Sequence, residues 1–309
     1  MNSFRRLALI ATIATYFLIF IGGLVRVSGA GLGCPDWPEC FGRWIPPTDI
    51  SQLPPEMDPA EFNFVLAWIE YFNRIIGMIV GLLIAAVGVS AIVKMRQHKH
   101  ILISSILASL MVAYQGWQGS QVVASELEPL IVSIHMGLAF LIVSLLTYIT
   151  YSAHKLIVPV NPETSYPPGI RLWSGILWIT VVIQVIFGTQ VRSAVESAAI
   201  KFPLYSPASL LDEAGAYGYV HSLLGIVVAI ACWRIASNVL GKSKNIPALA
   251  RNTAWAIMGL IFMQTIFGIA LYTAGLPAVI DVLHLWLAAL ITGLTFLIFT
   301  IVKQNGGAK

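Results

Sequence analysis

The sequence predicts an all-α integral membrane protein: eight transmembrane helices arranged as two pseudo-symmetric four-helix bundles, a parallel internal repeat. Three observations predict it. Of 309 residues, 58% are hydrophobic and 10% are charged, against roughly a quarter charged in a soluble domain. Mean hydropathy is +0.82, more apolar surface than one soluble core of this size could hide. The apolar residues fall into long unbroken runs, and the runs of the two halves align. The same numbers exclude a disordered, collagen-like or disulfide-scaffold chain. The alternation of an outer-membrane barrel is absent.

A helix needs about 20 apolar residues to cross the hydrocarbon core. In order, the runs are Leu7–Val27, Ile69–Val93, Ile101–Val123, Leu130–Tyr151, Leu172–Val191, Tyr217–Leu240, Thr253–Ala274 and Val279–Val302. Lipid offers the backbone no hydrogen-bond partners, so each run is expected to be helical. Arg5-Arg6 before the first run also fits a cleaved signal peptide. That reading is weaker, because the run is long enough to span and has a counterpart later in the chain.

Lysine and arginine placement orients the spans. One side carries Arg5, Arg6, Lys94, Arg96, Lys99, Lys155, Arg171, Arg234, Lys242, Lys244, Arg251, Lys303 and Lys309, thirteen of the 18 basic residues. The other side has Arg26, Arg43, Arg74, Arg192 and Lys201. Thirteen of the 14 acids lie on or near that second side; Glu163 is the exception. The expectation is a multi-pass protein of the inner (plasma) membrane, both termini cytoplasmic, loop 28–68 external. The net charge of +4 sits in short loops, so no nucleic-acid partner is expected; the lipid bilayer is the partner.

The repeat divides the chain at about residue 155, into halves 1–155 and 156–309. Gly22-Gly23-Leu24-Val25-Arg26 ends the first span and Gly188-Thr189-Gln190-Val191-Arg192 the fifth, both G-x-x-V-R. Gln115 and Gly119 precede His135 by 20 and 16 residues, and Gln264 and Gly268 precede His284 by the same intervals. Asn73 stands four before Gly77 as His221 stands four before Gly225. An even number of spans per half gives both the same orientation.

Ionisable groups inside lipid are costly, and each is a functional candidate. They gather at the external span ends: Arg26, Glu70, Arg74, His135, Arg192, His221, Asp281 and His284. His98, His100 and His154 lie in cytoplasmic loops, where solvation explains them. Two imidazoles facing inward from two helices of one bundle are how a b-type haem is held, so His221 and His284 are expected to ligate haem iron. Gly225 would leave room for the macrocycle. Zinc would want further ligands that the apolar surroundings do not offer. The alternative is a pair of hydrogen-bonded core histidines.

In the first half His135 has Asn73 at its partner position, and an amide is a poor iron ligand. A haem held by His135 alone would keep one face open. That makes one half suited to electron transfer and the other to chemistry; the plainer reading is that Asn73 only bonds a neighbouring helix. Glu70 shares a helical face with Asn73 and Arg74. It is a candidate proton donor or charge stabiliser, or simply the partner of Arg74 in a local ion pair. Arg26, Arg74 and Arg192 suit haem propionates, which guanidinium matches bidentately, or they snorkel to headgroups. Cys34 and Cys40 lie six apart on the oxidising side, where they can form a disulfide. Cys232 lies within a span as packing.

These residues resemble the haem A synthase family. The resemblance rests on Gly23-Leu24-Val25-Arg26-x-Ser28-Gly29-Ala30-Gly31, on Gly33-Cys34-Pro35-Asp36-Trp37-Pro38-x-Cys40-Phe41-Gly42, on Ile69-Glu70-Tyr71-x-Asn73-Arg74, and on His135, His221 and His284 in register. It implies oxidation of the C8 methyl of haem O to a formyl group by successive hydroxylations, giving haem A for terminal oxidases. It implies haem b in the C-terminal half on His221 and His284, and haem O as substrate in the N-terminal half on His135. Glu70 carries over as a required residue and Cys34–Cys40 as a disulfide. Haem O synthase is the implied supplier, with an unidentified electron donor such as a quinol. Many members have His where Asn73 stands, and the second-half cysteine pair of some members is absent. The competing expectations are a di-haem b-type electron-transfer protein and a non-catalytic haem carrier.

Overall fold

The computed structural model describes residues 1–305 other than 160, 162, 243 and 276; Lys309 lies outside the described residues. All eight predicted spans are helices: α1 (Asn2–Val27), α2 (Phe64–Lys94), α3 (Lys99–Ala124), α4 (Pro129–Lys155), α5 (Ile170–Lys201), α7 (Gly215–Lys242), α8 (Ala248–Thr273) and α9 (Ala278–Asn305). The protein is thus an all-helical, multi-pass membrane protein. Two features differ from expectation. The fifth span runs ten residues past Val191 to Lys201, and a short helix α6 (Pro207–Asp212) precedes α7. Both lie beyond the apolar run, where hydropathy carries no signal.

Local chemistry sets the helix ends. The Asn63 side chain accepts from Val65 N and Leu66 N to cap α2, and Glu128 accepts from Ile131 N ahead of Pro129 to cap α4. Both satisfy N–H groups that a helix start leaves open. Gly169 (φ 76°) opens α5 and Gly275 (φ 79°) follows α8, at backbone angles that favour glycine.

In the first half α1, α2, α3 and α4 pack in a closed ring, each against the next and α4 back against α1. In the second, α5, α7, α8 and α9 repeat that order. The halves meet through α1 and α4 on one side and α5 and α9 on the other. Ile19, Phe140, Val143 and Ala289 fill this seam. Ser133 and Thr189 share a hydrogen bond of 2.7 Å, Gln190 donates to Ser133 at 2.7 Å, and Trp286 Nε1 donates to the Tyr16 carbonyl at 3.2 Å. Such bonds contribute about 0.6–2 kcal/mol each in membranes. Small residues bring helices close: a Cβ at Gly88 of α2 would run into the Ser109 hydroxyl of α3.

Packing is uneven along the membrane normal. The first-half core contains Phe4, Ala8, Ala11, Val80, Ile84, Val87, Ala91, Ile101, Ala108, Ile142, Leu146 and Ile149, all toward the end that bears the chain termini. The second-half core contains Leu177, Val181, Val228, Cys232, Ala236, Val239, Ala254, Ile257 and Ile298, toward the same end. Among the described residues, α7 buries none before Val228 and α8 none after Ile261. In the second half the other end, toward the long 28–63 loop, is the less filled one, and His135, His221 and His284 stand at that end of their bundles.

The 28–63 loop folds back on the N-terminal turns of α2. Cys34 and Cys40 are disulfide-bonded and buried with Phe41 and Ala67. The Asp36 carboxylate accepts from Phe41 N (2.7 Å) and Gly42 N (2.6 Å), holding a turn in which both residues have positive φ. A Cβ at Gly33 would overlap the Leu66 backbone carbonyl, so only glycine lets the loop lie this close to α2.

Candidate functional site

In the second half, α7 presents His221 and α9 presents His284 into the less filled end of the bundle. Their ring centroids lie 6.5 Å apart at an interplanar angle of 62°. Two imidazoles on opposite faces of one iron, each bonded at about 2 Å, place their centroids roughly 6 Å apart. His221 Nδ1 donates to the Gln184 carbonyl of α5 (3.2 Å), which leaves its Nε2 bare. At His284 the Gln264 amide lies 3.1 Å from Nε2, and Nδ1 is buried without a partner. No group of three or more His, Cys, Asp or Glu side chains with metal-holding geometry occurs among the described residues, so the two histidines stand as a pair. The centroid spacing is that of two imidazoles on one iron, and the Gln264 amide at His284 Nε2 would have to move aside for it. A Cβ at Gly225 would sit 3.1 Å from the Gln184 amide nitrogen.

In the first half His135 of α4 occupies the position of His284. Gln115 of α3 lies 3.1 Å from His135 Nε2, and its amide also donates to the His135 carbonyl (3.0 Å). His135 Nδ1 is buried and unpartnered. Asn73 sits half-buried on α2, one turn from Glu70. The two halves therefore share one histidine seat and differ at the other.

Glu70 is 4% exposed, and both its oxygens are engaged. Oε2 accepts from the Cys34 backbone N–H at 2.8 Å, and Oε1 accepts from Arg74 at 2.5 Å. Arg74 in turn donates to the carbonyls of Asp36 (2.8 Å) and Glu39 (2.7 Å). Arg74 thus faces the disulfide loop, and its guanidinium is committed there. The Glu70–Arg74 ion pair foreseen from i, i+4 spacing is present and extends into a clamp on the loop.

Arg26 and Arg192 come together through a residue that the sequence reading did not single out. Glu196 accepts from Arg26 (2.9 Å) and from Arg192 (2.7 Å), and Arg192 also pairs with Asp281 (2.5 Å). The chain of charges runs from α1 across α5 to α9 at the loop end of the seam. The available signal was Glu196 one turn beyond Arg192; it was missed because the apolar run stops at Val191. Arg26 keeps a buried Nε without a partner.

The chain matches the family of cytochrome oxidase assembly proteins over residues 5–296, from α1 into α9. It is similar along most of its length to a haem A synthase of Ehrlichia canis: 21% identity, covering 89% of this chain and 86% of the relative. With a haem A synthase of Flavobacterium psychrophilum the identity is 22%, covering 91% and 92%. The chain belongs to the haem A synthase family. A shorter stretch of 140 residues is 30% identical to the haem A synthase of Shewanella oneidensis, covering 44% of this chain and 42% of that one. Membership covers both four-helix halves, so the His221–His284 pair and the lone His135 both lie within the family's shared architecture.

Proposed function

We propose that this protein makes haem A from haem O by oxidising the C8 methyl group to a formyl group, with dioxygen as oxidant: each of two hydroxylations uses one O2, two donor electrons and two protons and releases one water, and the resulting gem-diol loses water to the aldehyde. The observation that carries this reading is the match to haem A synthases across both halves. In it, His221 and His284 hold haem b, and the second half (156–309) is the electron-transfer half. Bound haem b supplies one-electron transfer there, from a donor such as a quinol.

Haem O binds as substrate in the first half (1–155), with His135 as its imidazole ligand. Asn73 provides no second imidazole, so one face of the substrate stays accessible. Arg26, with its unpartnered Nε, is the arginine best supported as a propionate partner; Arg192 holds Glu196 and Asp281 in place beside it. Arg74 acts through the loop instead: with Glu70 it fixes the Cys34–Cys40 segment over the end of the bundle and keeps bulk water from the site. A Glu70 carboxylate so placed is also positioned to move a proton if the Cys34 contact opens. The lysine and arginine asymmetry supports a plasma-membrane location with both termini cytoplasmic and the substrate site toward the outer leaflet. Haem O synthase is the proposed source of substrate.

The test is co-expression with haem O synthase in cells lacking haem A, followed by pyridine haemochrome analysis of extracted haem. Haem A appears if the protein is the synthase. Unchanged haem O would identify a carrier or an electron-relay cytochrome instead.

A further inference from the structure

At the end of the molecule that bears the chain termini, opposite the three histidines, the two halves leave a cavity of about 420 Å³ between them. One wall belongs to the first half: Tyr151, His154 and Lys155 at the end of α4, with Val158 just beyond. The facing wall belongs to the second: Asn245, then Ala248 and Leu249 in the first turn of α8. Nothing in the reaction proposed above uses this end of the seam.

The walls present positive charge and hydrogen-bond donors, and among the described residues no carboxylate lines the cavity. Lys155 Nζ donates to the Gln304 carbonyl of α9, and an ammonium has further hydrogens to give. His154 stands beside it, with the Arg5 guanidinium of α1 3.4 Å from its Nδ1. Across the cavity, α8 follows Pro247 with no side-chain cap. A helix start leaves N–H groups open and carries the positive end of the dipole. Glu163 lies outside the lining; it is exposed, and its carboxylate accepts from the Asn245 amide at 3.0 Å.

The inner side of the cavity is polar as well. Tyr151 is 6% exposed there, and the Tyr166 hydroxyl, packed against the cluster of Tyr151 and Ala250, is buried without a partner. Buried polar groups are normally hydrogen-bonded, so this side suits a polar occupant rather than an acyl chain. Val158 and Leu249 are exposed apolar residues of the lining and suit a chain attached to that occupant. A cationic, donor-rich cavity without a carboxylate selects an acceptor-rich anion, and phosphate has that chemistry. The orientation proposed above turns this end to the cytoplasmic leaflet, where basic pockets between helices meet anionic headgroups.

We propose that this cavity binds a phosphate group, on an anionic phospholipid or free, and that the bound phosphate ties α4 to α8 across the seam. The proposal does not depend on the haem reading. The test uses the full-length protein, delipidated in detergent, with its thermal midpoint followed against phosphatidylglycerol, phosphatidylcholine, inorganic phosphate, and sodium chloride at matched ionic strength. Phosphatidylglycerol, inorganic phosphate or both are expected to raise the midpoint by about 4 °C at roughly a hundredfold excess over Kd. A shift with the lipid alone assigns the phosphate to a headgroup; a shift with inorganic phosphate alone assigns it to the free anion. Lys155→Gln removes the ammonium. Ala248→Asp sets a carboxylate in the first turn of α8, where it favours the helix and occupies the place of the ligand. Each variant is expected to bind about tenfold more weakly, and Ala248→Asp carries the test if Lys155→Gln does not fold. Lys94→Gln, on α2 and outside the lining, is expected to respond as wild type does. The proposal is overturned if wild type gives no shift beyond that of sodium chloride, if phosphatidylcholine matches phosphatidylglycerol, if Ala248→Asp responds fully, or if Lys94→Gln loses as much as Lys155→Gln.

Discussion

Arg26 Nη2 donates to Glu196 Oε2 at 2.9 Å, an ion pair whose two residues belong to different four-helix halves. It ties α1 to α5 at the loop end of the seam, and Arg192 carries the link on to Asp281 of α9. Glu196→Gln is therefore expected to loosen the junction of the halves. Glu196 is 35% exposed, so the loss is modest, about 1 kcal/mol, read as a drop of roughly 2 °C in thermal midpoint in detergent. Asp281→Asn, at a more buried carboxylate (18% exposed), is expected to cost more. Equal, negligible effects of both would remove the network from the account of the seam.

Glu70→Ala leaves the guanidinium of Arg74 half-buried without its carboxylate and the Cys34 N–H without its acceptor. Breaking a buried pair in this way costs about 3–5 kcal/mol. The expected outcome is faster proteolysis within residues 28–63, together with loss of haem A formation. Glu70→Gln keeps an acceptor for Cys34 N–H and should protect the loop far better. If its haem A yield is nevertheless lost, the charge itself matters to the reaction.

Gly33→Ala is expected to destabilise the loop by about 1–3 kcal/mol, since the added carbon overlaps the Leu66 carbonyl. Gly22→Ala, with nothing within 4 Å of the added carbon, should be close to neutral. Thermal denaturation of both variants side by side checks the contrast.

Asn73→His supplies an imidazole at the repeat position of His221. The expected result is a low-spin optical and EPR signature for the first-half haem and abolished formyl production. Activity that survives the change would show that the open face is not what Asn73 provides.

The aligned intervals of the repeat located the histidine seats because spacing along a helix is preserved whatever packs around it. Gly225 shows where this runs out: its place one turn from His221 was legible, but its contact with the Gln184 amide was not, because that amide stands on a helix whose rotation no spacing encodes. Arg74 and Arg26 looked equivalent as external arginines. They separate because one is captured by loop carbonyls and the other by an acid on the opposite half.

Composition, apolar run length and the matched intervals by themselves determined a membrane-embedded pair of four-helix bundles with three histidines at one end, because lipid permits the backbone few alternatives. Only the tertiary structure decided which side chains answer each histidine and each arginine. Those partners come from other helices, and their distances depend on how the helices rotate and close on one another.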